Sequence, residues 1–210
     1  MADFGQLVSG FRIFKSTTYN EIKDSIGHVV RQGIKPKTLF VSCSDLRISP
    51  DTIFSNNPGE SFVFRNMGSL IPPYESEGAH SIIAAIEYAV KDLQIESIVV
   101  LGHSNCDSVK MLMNEGAGEE YGKAMHDWLE LGADARDAVA NDLSDKSDEE
   151  KEAACEEEII LVSLRNLLTY PFVNEKIQDD SLKIYGWHFD IEGGELKGFN
   201  PETKYFESIG

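Results

Sequence analysis

The sequence predicts an α/β domain with a mostly parallel central sheet, because short apolar runs alternate with longer helical patterns. Residues 38–42 and 97–101 are apolar runs of strand length. Between them, the stretch from about Gly78 to Leu93 repeats isoleucine, alanine and valine at helical spacing. Strand–helix alternation of this kind is typical of domains in which helices cover the faces of a parallel sheet.

Further segments complete the predicted order of elements. A helix is predicted over residues 20–33, and another runs from a capping box of Ser147 and Glu150 to Pro171. Residues 114–148 contain helical pieces, glycines and many carboxylates. The remaining predicted strands cover residues 61–64, 182–187 and 196–199, and the last two form an antiparallel edge hairpin around Gly193-Gly194.

Length and composition predict one globular domain. The 210 residues suit a single well-buried core, and we find neither an internal repeat nor a linker to a second domain. The hydrophobic fraction of 41% is that of a folded protein. A net charge of −17 opposes binding to nucleic acid and to anionic membrane surfaces, so neither is an expected partner.

The cysteine count and the N-terminus predict a cytoplasmic protein. Three cysteines cannot form a disulfide scaffold in a chain of this size, and their spacing suits a metal in a reducing compartment. Residues 1–5 lack the basic start and the apolar core of a signal peptide. No apolar run approaches the ~20 residues that a membrane-spanning helix needs.

Residues with metal-binding side chains follow two of the predicted strands. Cys43 comes directly after one strand, and His103 and Cys106 come after another. Ligands bind beyond the carboxyl ends of such strands, and thiolate and imidazole are ligands of zinc. Taken singly, each residue is more simply a buried thiol or a core histidine, but the three together predict a zinc site. Asp45 lies close enough in sequence to reach either the metal or Arg47.

The segments that carry these residues resemble the motifs of the β-class carbonic anhydrases. In that family they read C-x-D-x-R and G-H-x-x-C, and here they are residues 43–47 and 102–106. Arg65-Asn66 and residues 87–90 match the family's R-N and E-Y-A-V. The resemblance extends over most of the chain, up to the G-W-H-F-D segment that begins at Gly186.

The resemblance implies a fold and an assembly. It implies one Rossmann-like domain over residues 1–210, with an N-terminal helical arm over about residues 1–35. In the family such helices exchange between subunits, so a homodimer or a larger assembly such as a tetramer is expected.

The resemblance also implies an activity and a role for particular residues. Zinc would be held by Cys43, His103 and Cys106, and zinc-bound hydroxide would convert carbon dioxide reversibly to bicarbonate. Asp45 would orient the hydroxide while Arg47 holds its carboxylate away from the metal. If that pairing breaks, Asp45 is free to become the fourth ligand and close the site. A purely structural ion pair is the alternative for these two residues.

Some expected pocket residues match the family and others depart from it. Ile34 stands where the family typically has glutamine, and Leu46 stands where it has a small residue. Asp107 replaces the usual glycine after the last ligand. The matching positions of the apolar wall are Phe62 and Tyr88, and Met67 keeps the bulk of the residue at its position.

Asp107 is the departure with the largest expected electrostatic effect. At about 4–6 Å from the zinc, its carboxylate would disfavour hydroxide formation and bicarbonate binding by roughly 3–4 kcal/mol before screening. Alternatively, it points to solvent and stabilises the start of a helix. Together with Ile34 and Leu46, it leaves two other functions open. One is activity on carbonyl sulfide or carbon disulfide, and the other is a non-catalytic zinc- or anion-binding homologue.

Overall fold

A six-stranded sheet forms the centre of the fold. We describe it from a computed structural model, which covers residues 3–74, 80–114 and 121–209. The strands are β1 (Thr38–Cys43), β2 (Ser61–Asn66), β3 (Ser97–His103), β4 (Lys183–Phe189), β5 (Leu196–Asn200) and β6 (Tyr205–Ser208). Their order is β2-β1-β3-β4-β5-β6; the first four in this order are parallel, and β5 and β6 each pair antiparallel with their neighbours.

Helices precede the sheet, connect its strands and cover it. The segment from Ser81 continues past Tyr88 as a π-helical turn over Ala89–Leu93. Short 3-10 turns lie at Met67–Ser69 and Glu130–Gly132. In the described part of the chain the helices are α1 (Phe4–Ser16), α2 (Thr18–Gln32), α3 (Pro50–Ile53), α4 (Ser81–Tyr88), α5 (Asp107–Met113), α6 (Lys123–Leu129), α7 (Ala133–Asp142), α8 (Asp148–Leu167) and α9 (Pro171–Gln178).

The predicted architecture is confirmed, including the mostly parallel sheet and the antiparallel C-terminal hairpin. The helix predicted from Gly78 begins at Ser81, and Gly78 lies outside the described residues. The capping box of Ser147 and Glu150 is present, and its two side chains each accept a hydrogen bond from the other residue's backbone N–H. It opens α8 as predicted.

Three elements were missed or misassigned because their sequence signals are local and ambiguous. Pro171 does not end α8, which stops at Leu167; instead it opens α9. A proline at the first helical position has no N–H to leave unpaired, so it suits a start as well as a stop. Helix α3 and strand β6 were not predicted, since each spans only four residues. Helix α1 lies within the N-terminal helical arm that the resemblance implied.

Two glycines allow α8 to lie close against the sheet. A Cβ placed on Gly102 of β3 would come 2.7 Å from Ile160 Cδ1, and one on Gly186 of β4 would come 2.7 Å from Ile160 Cγ2. Contacts this short do not occur in well-packed interiors. Ile160 is fully buried at this crossing. The close approach brings the N-terminal half of α8 to the carboxyl ends of β3 and β4.

Helices α1 and α2 form an N-terminal arm, residues 4–32, that contains no buried residue. Phe4, Leu7 and Phe11 of α1 are all more than half exposed. The exchange of this arm between subunits stays a prediction. Among the described residues, no helix combines the length and the apolar character needed to cross a membrane.

Candidate metal centre

Cys43, His103 and Cys106 meet at the carboxyl ends of two neighbouring strands. Cys43 is the last residue of β1 and His103 the last of β3, and these strands are parallel partners. Cys106 is the N-cap residue of α5. All three residues are buried, and their potential ligand atoms lie within 4.8 Å of one another. The two sulfur atoms are 3.9 Å apart, close to the ~3.8 Å separation of two thiolates that each lie about 2.3 Å from a tetrahedral zinc.

The ring of His103 presents a free nitrogen to this point. Its Nδ1 lies 2.9 Å from the carbonyl oxygen of Ser104, which only accepts, so Nδ1 carries the proton and donates it. Its Nε2 is buried and has no hydrogen-bond partner in the described part of the chain. A buried imidazole lone pair of this kind, with the other nitrogen fixed by a carbonyl, fits a metal ligand.

The two thiols are electrostatically coupled. The contact with Cys106 lowers the pKa of Cys43 well below its usual range, and His103 lowers it further. The same contact raises the pKa of Cys106, because its ionisation would place a second thiolate beside the first. A divalent cation removes this conflict by neutralising both thiolates. The donor set therefore fits a zinc ion.

Asp45 is fixed beside the three ligands by Arg47. The Arg47 backbone N–H and Nε donate to Asp45 Oδ1 at 2.8 and 2.9 Å, and Nη2 donates to Oδ2 at 2.6 Å. The Arg47 side chain therefore holds the pKa of Asp45 well below its usual range. Asp45 Oδ2 lies 3.9 Å from His103 Nε2. Asp45 and Arg47 are thus paired as expected, next to the three candidate ligands.

Arg65, to which no role had been assigned, holds the turn that carries Cys43 and Asp45. Its Nε donates to the Cys43 carbonyl at 2.9 Å, and its Nη2 donates to the carbonyls of Asp45 and Ile48 at 2.6 and 2.9 Å. A planar guanidinium suits three carbonyl acceptors in one turn. The R-N pair at the end of a strand was the sequence signal for this residue.

A cavity of about 470 Å³ opens beside Cys43, Asp45 and Arg47. Three predicted pocket residues, Leu46, Met67 and Asp107, line it. Leu46 is fully exposed, and Asp107 is an exposed residue in the first turn of α5. Asp107 also contributes to raising the pKa of Arg47, after the larger effect of Asp45, so the two carboxylates act on the same guanidinium.

Sequence comparison gives the family of the chain. The family model for carbonic anhydrase matches residues 38–196, which contain all three candidate ligands. "Beta carbonic anhydrase 3" of Arabidopsis thaliana is 35% identical over 191 residues, covering 90% of this chain and 74% of the relative. This chain belongs to the β-class carbonic anhydrases.

Solved β-class carbonic anhydrases share its whole architecture. The β-carbonic anhydrase CcaA superposes with a TM-score of 0.93 at 31% identity, over 98% of this chain and 92% of the other. One of two tetrameric β-carbonic anhydrases from the filamentous ascomycete Sordaria macrospora superposes with a TM-score of 0.83 at 25% identity. The superposition covers 94% of this chain and 96% of the Sordaria macrospora chain.

Three predicted pocket residues of this β-class chain do not line the cavity. Phe62 and Tyr88 contact each other edge-on, with ring centroids 6.1 Å apart. Phe62 is four residues before Asn66, the β2 partner of Cys43, so it lies roughly 13 Å back along the strand. Ile34 follows α2 and is 52% exposed. Among the described residues of a single chain, the lining of the cavity thus includes none of Ile34, Phe62 and Tyr88.

Sequence reasoning missed two buried polar residues next to the centre. Glu156 accepts a hydrogen bond of 2.9 Å from the backbone N–H of Cys106, and His188 Nε2 lies 3.3 Å from the other carboxylate oxygen. Neither residue was given a role, because Glu156 lies in an acidic stretch typical of a solvated helix face, and a single histidine such as His188 more often belongs to the core or the surface than to a site. The available signal was that Glu156 precedes Ile159 and Ile160 by three and four residues, on the apolar face of α8.

Proposed function

We propose that this chain catalyses the reversible hydration of carbon dioxide to bicarbonate at a zinc ion held by Cys43, His103 and Cys106. The observation that carries the proposal is the unpartnered His103 Nε2, buried beside two thiols that are 3.9 Å apart. Membership of the β class and the names of its curated relatives support it. Zinc bound there would supply Lewis acidity, which lowers the pKa of a bound water toward neutrality.

Asp45 supplies the acceptor that such a site needs. Two thiolates cancel the charge of the ion, so this centre acidifies water less than a three-histidine centre would. The carboxylate of Asp45, kept ionised by Arg47, can only accept hydrogen bonds. A water or hydroxyl group at the centre would therefore point its hydrogen at Asp45 and its lone pair toward the cavity. Groups that do not bind the metal commonly act in this way, by orienting the ligands that do.

Stopped-flow hydration of carbon dioxide by zinc-loaded protein tests the proposal. We expect a rate above that of buffer between about pH 7 and 9, loss of that rate on treatment with a chelator, and recovery on adding zinc. Metal analysis should give about one zinc per chain. If the zinc-loaded protein hydrates carbon dioxide no faster than buffer does, the chain does not catalyse this reaction and the proposal is wrong.

A non-catalytic zinc-binding role is the second candidate, and the position of Asp107 in the cavity favours it. The charge of Asp107 opposes bicarbonate at a catalytic centre, and for the same reason it counts against the anion-binding form of this candidate. The alternative substrates carbonyl sulfide and carbon disulfide gain no support from the cavity of the single chain. Ile34 does not line the cavity, and Leu46, which does line it, is fully exposed to solvent.

Asp107→Gly is expected to lower the KM for bicarbonate by about 2- to 5-fold, because exposed charge pairs contribute at most about 1 kcal/mol. Asp107→Asn should have most of the same effect, since it removes the charge and keeps the size. Both effects should shrink as salt is added. Bicarbonate dehydration kinetics measure them. If the parent is inactive and Asp107→Gly gains activity, the non-catalytic candidate is correct for this chain.

We also propose that the chain, as a single domain over residues 1–210, associates with further copies of itself through the N-terminal arm. Exposed apolar side chains along α1 support this. The related β-carbonic anhydrases of Sordaria macrospora, which are described as tetrameric, support it as well. Leu7→Ser together with Phe11→Ser should lower the mass measured by analytical ultracentrifugation, while Ser9→Ala on the same helix should not. An unchanged mass in the double variant would place the interface elsewhere.

A further inference from the structure

A buried carboxylate lies next to Cys106 and a buried histidine lies next to that carboxylate, and neither side chain lines the cavity. Glu156 and His188 are each only 6% exposed. Glu156 Oε1 accepts from the Cys106 N–H at 2.9 Å, while Oε2 lies 3.3 Å from His188 Nε2. The carboxylate thus joins the backbone of a ligand residue to a side chain on β4. Neither residue has a role in the function proposed above.

The fold brings these groups together through the glycine contact described earlier. Gly102, one residue before His103, pairs with His188 across β3 and β4. The backbone oxygen of Glu156 lies 3.6 Å from the place where a Cβ on Gly102 would be. Because Gly102 has no side chain, α8 approaches the sheet closely enough for Glu156 to reach the turn that follows His103.

That turn has an unusual backbone conformation. Asn105 has a φ of 56°, in the left-handed region that asparagine tolerates better than most residues. Each residue of the turn is held from outside it. The Ser104 hydroxyl donates to Asp190 at 3.1 Å, Arg47 donates to the Asn105 carbonyl at 2.8 Å, and the Cys106 N–H donates to Glu156. Glu156 is therefore the contact that fixes the end of the turn bearing the thiol.

Burying a carboxylate here needs a compensating interaction. Residues around it on α8, such as Cys155, Ile159 and Ile160, are apolar and buried. An aliphatic side chain would fill this position without the cost of removing a carboxylate from water. The hydrogen bonds to Cys106 and His188 offset that cost, and the former acts directly on a ligand residue.

We propose that Glu156 and His188 are positioning residues: Glu156 fixes the backbone of Cys106, and His188 fixes Glu156, so that the Cys106 thiolate is held at the distance a metal requires. The inference rests on the zinc site of the proposed function. It adds that metal affinity depends on a carboxylate that never touches the metal. Outer-sphere partners of this kind typically change metal affinity by about 10–100-fold.

Zinc affinity, measured by competition with a chromophoric chelator, tests the role of Glu156. Glu156→Leu removes the acceptor and should weaken zinc binding by about 10–100-fold. Glu156→Gln keeps an acceptor oxygen and should stay within about 3-fold of wild type. Glu158→Gln is the matched control on the same helix, since Glu158 pairs with Arg165; its affinity should be unchanged. The visible absorption of cobalt-loaded protein should change in Glu156→Leu alone, because it reports ligand geometry.

A second comparison tests the role of His188, and it also tests the inference if Glu156→Leu does not fold. Glu156→Gln combined with His188→Leu leaves no buried charge, and it should bind zinc several-fold more weakly than Glu156→Gln alone. The inference would be overturned if a folded Glu156→Leu protein bound zinc as tightly as wild type. It would also be overturned if Glu156→Gln and the double variant Glu156→Gln/His188→Leu bound zinc equally tightly. If wild type itself binds no zinc, the proposed function fails instead, so the two failures are distinguishable.

Discussion

Cys106→Ser is expected to remove zinc and to lower the rate of carbon dioxide hydration by at least roughly 10³-fold, because free water has a pKa near 15.7 rather than about 7. A serine hydroxyl does not ionise at neutral pH, so the site would lose one of its two anionic donors. Cys43 would then face the ion with His103 alone, and the charge of the ion would no longer be neutralised. Metal analysis and stopped-flow kinetics on the same preparation measure both effects.

The third cysteine of the chain provides the control for this substitution. Cys155 is fully buried in the core, and burial raises its pKa to about 12, so it is an inert thiol at neutral pH. Cys155→Ala should bind zinc and hydrate carbon dioxide as wild type does, at a small cost in stability. If Cys106→Ser keeps both zinc and activity, the assignment of the metal ligands is wrong.

Arg47→Leu is expected to lower the hydration rate by about 10–100-fold while zinc stays bound. Without the two hydrogen bonds from the Arg47 side chain, the Asp45 carboxylate keeps only the bond from the backbone N–H of residue 47 and is free to turn toward the metal centre, where Oδ2 is already only 3.9 Å from His103 Nε2. As a fourth ligand it would take the position that water needs. Retained zinc with reduced activity is therefore the expected combination, measured by metal analysis and stopped-flow kinetics.

The pH dependence of stability in this variant tests the ion pair itself. Arg47 lowers the folded-state pKa of Asp45, so their pairing stabilises the fold above the unfolded-state value near 3.9, and this contribution is lost as pH falls below it. The stability difference between wild type and Arg47→Leu should be constant above about pH 5 and should shrink below about pH 4. The shape of the rate profile near neutral pH should not change, because Asp45 is ionised there in both proteins.

Arg136→Leu is the matched control, since Arg136 pairs with Glu130 and Asp137 and is not among the residues that line the cavity. It should leave the hydration rate and the zinc content unchanged. If zinc is lost together with activity in Arg47→Leu, Arg47 serves only to hold the site together, and the structural ion pair is the correct interpretation.

The metal centre could be predicted from the sequence because its parts lie at the ends of strands. The strand that leads to Cys43 and the strand that leads to His103 are both apolar and short, so their carboxyl ends could be located to within a residue or two. Parallel pairing then determines which side chains meet. The pairing of Asp45 with Arg47 could be predicted as well, because only Leu46 separates them in the turn after Cys43.

Contacts that depend on how helices approach the sheet could not be predicted in the same way. The role of Glu156 needs α8 to pass close to Gly102, a distance that no local pattern encodes. Glu156 also lies in the run Cys155-Glu156-Glu157-Glu158, and consecutive acidic residues are typical of a helix face exposed to solvent. The expected pocket residues Ile34, Phe62 and Tyr88 were placed by family resemblance alone, and they are not among the described residues that line the cavity.

The origin of the ligands on two separate strands has a consequence for stability. Cys43 and His103 come together only when β1 and β3 are paired, so the unfolded chain offers no preformed site and an ion binds almost entirely to the native state. Metal binding and folding are then thermodynamically linked. At a free zinc concentration about 1,000 times the Kd, occupancy adds about 4.1 kcal/mol to the free energy of unfolding. Zinc supply would thus set how much of this chain is folded, as well as how much of it is active.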